Sequence, residues 1–422
     1  MKVLVVSNLY PPDVIGGYEI CCKQVADSLK ARGHEVLVLT TAPRLRVPEL
    51  AGIERSMQLT ELWSDFVNAR CTSPTIRLAE SEGLRLNPFN VDRLFNAIER
   101  FRPDVVYLCS LVGIGGLGLL AALAHVRMPW VWQLGDNVPT TLCRRDAPGE
   151  NELAREVARQ LRGSYIAVSH RLVREIEASG IPLLPKLEIL PNWIVGDRVP
   201  ARRPYQAGEP LRIVMAGRLV REKGVEVLID AARILRERGH EDFTVDLFGK
   251  VIDLTYPSLV RVHGLERHVR FLGALPQEQM VKRLSDYDVF AMPTEAREPF
   301  GVAPLEAASR GCVPILSREC GIAEWLVDGV HCLKAERNGP SFADRFESIL
   351  KGEIDLARIA RRVHAMVWRD FHLDAVVPKI ERLLAEAAGQ SRDGAGSPEE
   401  FYRLAIIAER LMYVLVQESF VA

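Results

Sequence analysis

Two glutamates and two cations define the chemistry this chain could do. Glu298 and Glu306 stand eight positions apart in the run Arg297-Glu-Pro-Phe-Gly-Val-Ala-Pro-Leu-Glu-Ala-Ala-Ser-Arg-Gly311. The pattern predicts a loop carrying Glu298, then a helix that opens near Gly301 or Val302 and stops at Gly311. Glu306 would then lie about one and a half turns inside it. Free N–H groups at a helix start bind anions, and carboxylates accept from vicinal hydroxyls. A ligand with both, a phosphorylated sugar, suits the pair. Two helix-end acids favoured by the dipole are the plainer alternative. The apolar neighbours Leu305, Ala307 and Ala308 weigh against a merely solvating role for Glu306.

The cations lie upstream. Leu211–Ala216 is an apolar run that reads as a buried strand, followed by Gly217-Arg218-Leu219 and by Lys223 at the start of the next helix. In open α/β sheets, ligands bind at the carboxyl ends of the strands. Arg218, with its forked guanidinium, and Lys223 would place two positive charges where a diphosphate could lie. An exposed basic turn is the competing account. A second apolar strand, Asp288 to Met292, must deliver the acids to the same edge.

Taken together, Glu298-Pro299-Phe300-Gly301…Glu306, preceded by Gly217-Arg218-Leu219 and Lys223-Gly224, resembles the E-x7-E pattern of the retaining GT-B glycosyltransferases of family 4 (glycosyl transferases group 1). The likeness runs in order from residue 1 to about 388. It implies an α/β fold of the GT-B type, two Rossmann-like domains facing across a cleft, with C-terminal helices. Residues 1–195 would form the acceptor-side domain and 196–372 the nucleotide-sugar domain. Residues 373–388 would be a helix crossing back, and 389–422 a flexible linker with an additional helix.

The resemblance also implies an activity: retaining, metal-independent transfer of a hexosyl group from a UDP-, GDP- or ADP-sugar, with no cofactor. The acceptor would be a glycan, a lipid-linked saccharide or a small-molecule glycoside. Donor contacts would come from Gly16, Gly17, Arg218, Lys223, Gly249, Glu298, Pro299, Phe300, Gly301, Val302 and Glu306. Catalytic weight would fall on Glu298, Arg218 and Lys223, and Tyr18, Glu19, Asp136 and Asn137 would face the acceptor. Glu306 would hold the ribose and Glu298 the transferred sugar. On that view Glu298→Gln slows turnover and leaves affinity for free nucleoside diphosphate nearly unchanged. One departure stands out: Gly135 occupies the place where family members carry a histidine beside the donor sugar.

The bulk properties agree with a soluble globular protein of two or three domains. The chain has 422 residues, 48% hydrophobic, and a net charge of −1. That balance gives no support for nucleic-acid binding. Eight cysteines show neither C-x-x-C nor zinc spacing and read as small hydrophobes in a reducing compartment. The cytoplasm is the implied location, with the inner membrane surface as the place for any peripheral association. The N-terminal apolar run, Val3–Val6, is too short for a signal peptide and reads as a first strand, followed by a loop ending in Gly16-Gly17. Arg44, Arg46, Arg55, Arg70, Arg77 and Arg85 are scattered through the least readable stretch, on a solvated surface or an acceptor or lipid-facing one.

Three patterns point elsewhere. Gly113-x-Gly115-x-x-Gly118 with Asp136 beyond it matches a dinucleotide fingerprint and would make the chain an NAD(P)-dependent oxidoreductase, although at least two strand–helix units precede it. Asp286-x-Asp288 has the form of a metal motif but starts an apolar strand, and reads as structural. The charge-free run Val105–Ala124 has membrane length, but its glycines break it into strand, turn and helix. Glu399–Ser419 predicts one more amphipathic helix, whose apolar face would be covered by the chain itself, by a second copy in a homodimer, or by a membrane. A catalytically silent sugar-nucleotide-binding module is the remaining alternative.

Overall fold

A computed structural model of the chain describes residues 1–43, 48, 50–59, 87–143, 158–159, 161–200, 205–295 and 297–389. The chain divides into two compact units. The first comprises Met1–Ala167, Leu172–Leu190 and the chain from Val377 onward; the second comprises Val168–Arg171 and Pro191–Val376.

In the first unit the elements are β1 (Lys2–Val6), α1 (Gly17–Ala31), β2 (Glu35–Thr41), β3 (Ile53–Met57), α2 (Pro88–Phe101), β4 (Val105–Leu108), α3 (Gly116–His125), β5 (Trp130–Leu134), α4 (Val138–Cys143), β6 (Gly163–Ala167), α5 (His170–Ala178) and β7 (Pro185–Ile189). Its seven strands pair in parallel in the order β3-β2-β1-β4-β5-β6-β7. Alternating strands and helices produce this arrangement, because each crossover lays a helix on a sheet face. Strands covered on both faces can be continuously apolar, and Val3–Val6 and Val105–Leu108 are buried throughout.

The second unit contains β8 (Leu211–Ala216), α6 (Val225–Glu237), β9 (Phe243–Phe248), α7 (Thr255–Val262), β10 (Val269–Gly273), α8 (Gln277–Arg283), β11 (Val289–Met292), α9 (Ala303–Ala308), β12 (Val313–Ser317), β13 (Leu333–Ala335), α10 (Gly339–Leu350) and α11 (Leu356–Asp370). Its parallel order is β10-β9-β8-β11-β12-β13. Ile213, Met215, Val245, Leu247, Val289 and Ile315 form its core with Leu228, Leu235, Phe342 and Phe346 from the flanking helices.

The strand order reverses between β1 and β4 in one sheet and between β8 and β11 in the other. At such a point neighbouring loops part to opposite faces and leave a crevice at the carboxyl ends of the strands.

The last described helix, α12 (Leu373–Ala388), carries the chain from the second unit into the first. Within the first unit Glu381 accepts from Arg32 Nε at 2.6 Å and lies 2.7 Å from His34 Nε2. Glu386 pairs with Lys186, and Arg382 with Glu188 at 3.3 Å. Among the described residues no helix is long and apolar enough to cross a membrane. Cys22, Cys109, Cys312, Cys320 and Cys332 are free thiols. Arg44, Arg46, Arg70, Arg77, Arg85 and the 399–419 segment lie outside the described residues.

One sequence expectation needs correction. The helix after Glu298 opens later than Gly301 or Val302: α9 spans Ala303–Ala308, and Glu306 sits in its first turn. Gly301 has φ +90, which no helix can contain, and Pro304 fits the first turn because its N–H would be unpaired there anyway. Arg55, from the stretch before Pro88, is half-buried. It donates to the carbonyls of Tyr10 and Pro11 and pins the loop after β1.

Candidate functional site

The switch point of the second sheet collects most of the expected donor residues. Backbone comes first. Gly217, Gly249 and Gly273 end three adjacent strands, with φ of +141, +150 and +74. Gly217 N–H donates to Phe248 O at 3.0 Å and Gly249 N–H to Gly273 O at 2.9 Å. A Cβ at Gly249 would overlap the Gly217 carbonyl oxygen, so this position admits no side chain. The strand ends therefore form a bare step of backbone.

Arg218 comes directly after that step. It is exposed and, among the described residues, makes no side-chain hydrogen bond or ion pair. Lys223 closes a 3-10 turn, Arg221–Lys223, and Gly224 at φ +78 leads into α6. From the other side of the reversal, the loop after β11 brings Glu298. Lys223 Nζ and Glu298 Oε2 form a direct ion pair, with the side chains 26% and 15% exposed. The sequence could not show that these two, 75 residues apart, are partners.

The Glu298 loop is braced throughout. Gly321 N–H donates to Glu298 O and Ile322 N–H to Phe300 O, both at 2.9 Å, and a Cβ at Gly321 would overlap Pro299 O. Ser169 Oγ donates to Pro299 O at 2.7 Å. The Phe300 side chain is buried, and Gly301 turns where a Cβ would stand 3.0 Å from Met292 Cε. Glu306 accepts from Gln277 Nε2 at 2.7 Å, a neighbour from α8 that sequence reasoning missed. Burial raises its carboxyl pKa, and the Gln277 hydrogen bond opposes that rise.

Asp286 and Asp288 stand at the opposite, amino end of β11. Asp288 is buried and accepts from Arg212 N–H at 3.0 Å, and Asp286 pairs with Arg283 at 3.3 Å. Burial raises the Asp288 pKa against the pull of Arg212. Among the described residues no three His, Cys, Asp or Glu side chains converge to hold a metal ion.

Comparison with known proteins decides the family. Residues 16–193 match the glycosyl transferase 4-like domain and residues 201–365 match glycosyl transferases group 1. The chain is a group 1 glycosyltransferase. It is 28% identical over 403 residues to the glycogen synthase of Mycobacterium tuberculosis, covering 89% of this chain and 92% of that one. It is also 30% identical over 202 residues to the D-inositol 3-phosphate glycosyltransferase of Corynebacterium aurimucosum, covering 45% and 47%. In fold it matches Anabaena HepE, solved with UDP and glucose, at a TM-score of 0.63 with 18% identity over 92% of this chain and all of that one. Sucrose-phosphate synthase from Thermosynechococcus elongatus matches at a TM-score of 0.67 with 15% identity, covering 92% of this chain and all of that one. The two Rossmann-like units are those of the GT-B fold.

The first unit of this glycosyltransferase gives its expected residues mixed duties. Gly16 and Gly17 are exposed at the start of α1, and a Cβ at either would meet nothing in the protein within 4 Å. Neither glycine is needed for internal packing. Glu19 is buried and accepts from Gly16 N–H at 2.9 Å and Ile15 N–H at 3.3 Å, so it shapes this turn. Tyr18 hydroxyl donates to Gln133 O at 3.2 Å and accepts from the N–H groups of Gly135 and Asp136. Burial raises its pKa well above the ordinary tyrosine range. Asn137 is buried, accepts from Thr140 N–H and donates to Glu175 at 2.8 Å. Tyr18, Glu19 and Asn137 thus make internal hydrogen bonds, and Asp136 is the exposed member of the group.

Gly135 now has a physical reason. A Cβ there would lie 3.2 Å from two Tyr18 ring carbons, so the tyrosine ring occupies the space that a side chain at 135 would enter. The dinucleotide fingerprint also resolves. Gly113 and Gly115 do turn β4 into α3 with φ +77 each, but Gly113, Gly115 and Gly116 are buried. Asn8 and Asn90 side chains donate to the carbonyls of Val112 and Ile114 in the same turn. Protein side chains thus hold carbonyls of this turn, and the family match points away from an oxidoreductase.

Proposed function

We propose that this glycosyltransferase moves a hexosyl group from a nucleotide-sugar donor to a saccharide acceptor, with retention and without a metal. One observation carries the reading: Lys223, beyond the end of β8, pairs with Glu298 from the loop after β11 at the sheet's switch point, with the exposed Arg218 on the same side of the reversal as Lys223. The diphosphate would lie over the bare glycine step, where Arg218 has no side-chain partner among the described residues and Lys223 is within reach. Negative charge grows on this leaving group as the glycosidic bond breaks, and preorganised cations stabilise it there. Glu298 would accept from the sugar hydroxyls, Glu306 from the ribose, and Gly301 and Val302 would offer backbone N–H groups beside Pro299 and Phe300. Retention results if the acceptor attacks on the face the phosphate leaves, a phosphate oxygen taking the acceptor proton. The UDP and glucose bound by HepE, and the glycogen synthase relative, favour a nucleoside-diphosphate hexose and a glycan acceptor.

The test has two stages. A thermal-shift panel of UDP-, GDP- and ADP-sugars should find one base that raises the Tm, because a ligand binding only the folded state stabilises it. Transfer from that donor should then give product of unchanged anomeric configuration by NMR, with full rate in chelator. Inverted product, or activity that vanishes in chelator and returns with manganese, defeats the corresponding part of the reading. Donor binding with neither transfer nor hydrolysis would leave a silent binding module.

A further inference from the structure

The two loops that carry Lys223 and Glu298 do not meet only through that ion pair. Glu295 N–H donates to Glu222 O at 2.8 Å and Thr294 Oγ1 to the same oxygen at 3.2 Å. Gly224 lies so close to Pro293 that a Cβ would overlap the proline carbonyl oxygen. Capping this seam is Arg337. Its Nε donates to Pro293 O at 3.1 Å, and its Nη2 donates to Arg221 O and to Glu226 Oε1 at 3.2 Å.

One guanidinium therefore binds a carbonyl on each loop and takes its orientation from a carboxylate on α6. Its backbone is fixed by the start of α10, which Asn338 caps by accepting from Ser341 N–H at 2.8 Å, with Pro340 in the first turn. The residue type matters. A planar fork with several donors and no acceptor can hold two carbonyls at a set separation, whereas a lysine ammonium has one centre on a flexible stem.

We infer that Arg337 is a positioning residue for glycosyl transfer, setting the distance between the Lys223 turn and the Glu298 loop. The inference rests on the proposed function, in which those two side chains hold the diphosphate and the sugar of the donor. Arg337 touches neither reactant. It acts because a misplacement of about 1 Å at a reacting centre can cost on the order of 100-fold in rate.

Arg337→Lys should lower kcat by ~10–100-fold while free nucleoside diphosphate binds within ~3-fold of wild type, since Arg218 is untouched. Amide hydrogen exchange should rise at Arg221–Gly224 and Glu295–Glu298, with the sheet protected as before. Glu226→Gln, which keeps the shape of the carboxylate that orients the guanidinium, should move kcat and exchange the same way by less. It decides the matter if the lysine variant fails to fold. Wild-type kcat in Arg337→Lys, exchange unchanged at both segments, or a rate loss no larger than the loss of folded protein would each overturn the inference. If the wild-type chain transfers no sugar from any donor, the functional reading falls instead, and the exchange measurement alone tests the clamp.

Discussion

The Lys223–Glu298 pair makes a prediction that neither residue makes alone. The lysine proposed for the diphosphate is paired with the acid proposed for the sugar. A diphosphate must therefore compete with Glu298 for Lys223. Exposed ion pairs contribute ~0–1 kcal/mol, whereas two charges about 4 Å apart at an effective dielectric near 20 attract by ~4 kcal/mol before desolvation is subtracted. With side chains 26% and 15% exposed, a net of about 1–2 kcal/mol lies between these limits. Glu298→Gln removes the competing charge, so free nucleoside diphosphate should bind roughly 5–30-fold more tightly, at ~1.4 kcal/mol per decade. Transfer should nevertheless slow, because the sugar loses its anionic partner as it gains positive charge. Calorimetric titration of the diphosphate, beside steady-state kinetics with the donor, measures both. Lys223→Met in the Glu298→Gln background should erase the gain in affinity. Unchanged or weaker binding in Glu298→Gln would refute the competition, and would restore the simpler expectation that the two ends of the donor are held independently.

Arg218→Ala should cut kcat by roughly 10²–10³-fold, the scale for losing one preorganised donor, while the fold is unaffected because the side chain is exposed and unpaired among the described residues. Glu306→Gln should weaken free diphosphate and donor alike. Its stability has a definite sign: burial raises the wild-type carboxyl pKa above the ordinary 4.5, so the stabilising contribution is complete below 4.5 and lost as pH rises through the raised value. Tm measured against pH should show the variant gaining on wild type through that window, and a wild type that gains instead would contradict it. Gly249→Ala should cost several kcal/mol by chemical denaturation, since it adds both a steric overlap with the Gly217 carbonyl and a φ that L residues rarely adopt; a loss under about 0.5 kcal/mol would mean the strand ends can yield.

Local order was the legible part. Apolar runs such as Leu211–Ala216 and Val289–Met292 declare buried parallel strands, and the glycines after them mark where backbone must turn. The region before Pro88 hid a strand, Ile53–Met57, because its charged residues, Glu54 and Arg55, break the apolar run. Partnerships across the chain were not legible. Tyr18 and Gly135 are 117 residues apart and Arg337 and Arg221 are 116 apart, so no local pattern reports them. The expected α9 start at Gly301 or Val302 is one or two residues early because periodicity cannot see that Gly301 takes a left-handed turn. Gly135, read as a missing side chain, is the space made for another one.

The return of the chain to its first unit has a consequence for how this protein is made. Arg32, His34 and Lys186 wait for Glu381 and Glu386, which leave the ribosome only after the whole of residues 191–376. At ~5–20 residues per second that delay is on the order of ten to forty seconds. For that interval the nascent N-terminal half presents an unfilled seat to the cell, while the half synthesised later can finish folding first. Nascent chains that end before residue 377 should therefore be more open to chaperones and proteases than the full chain.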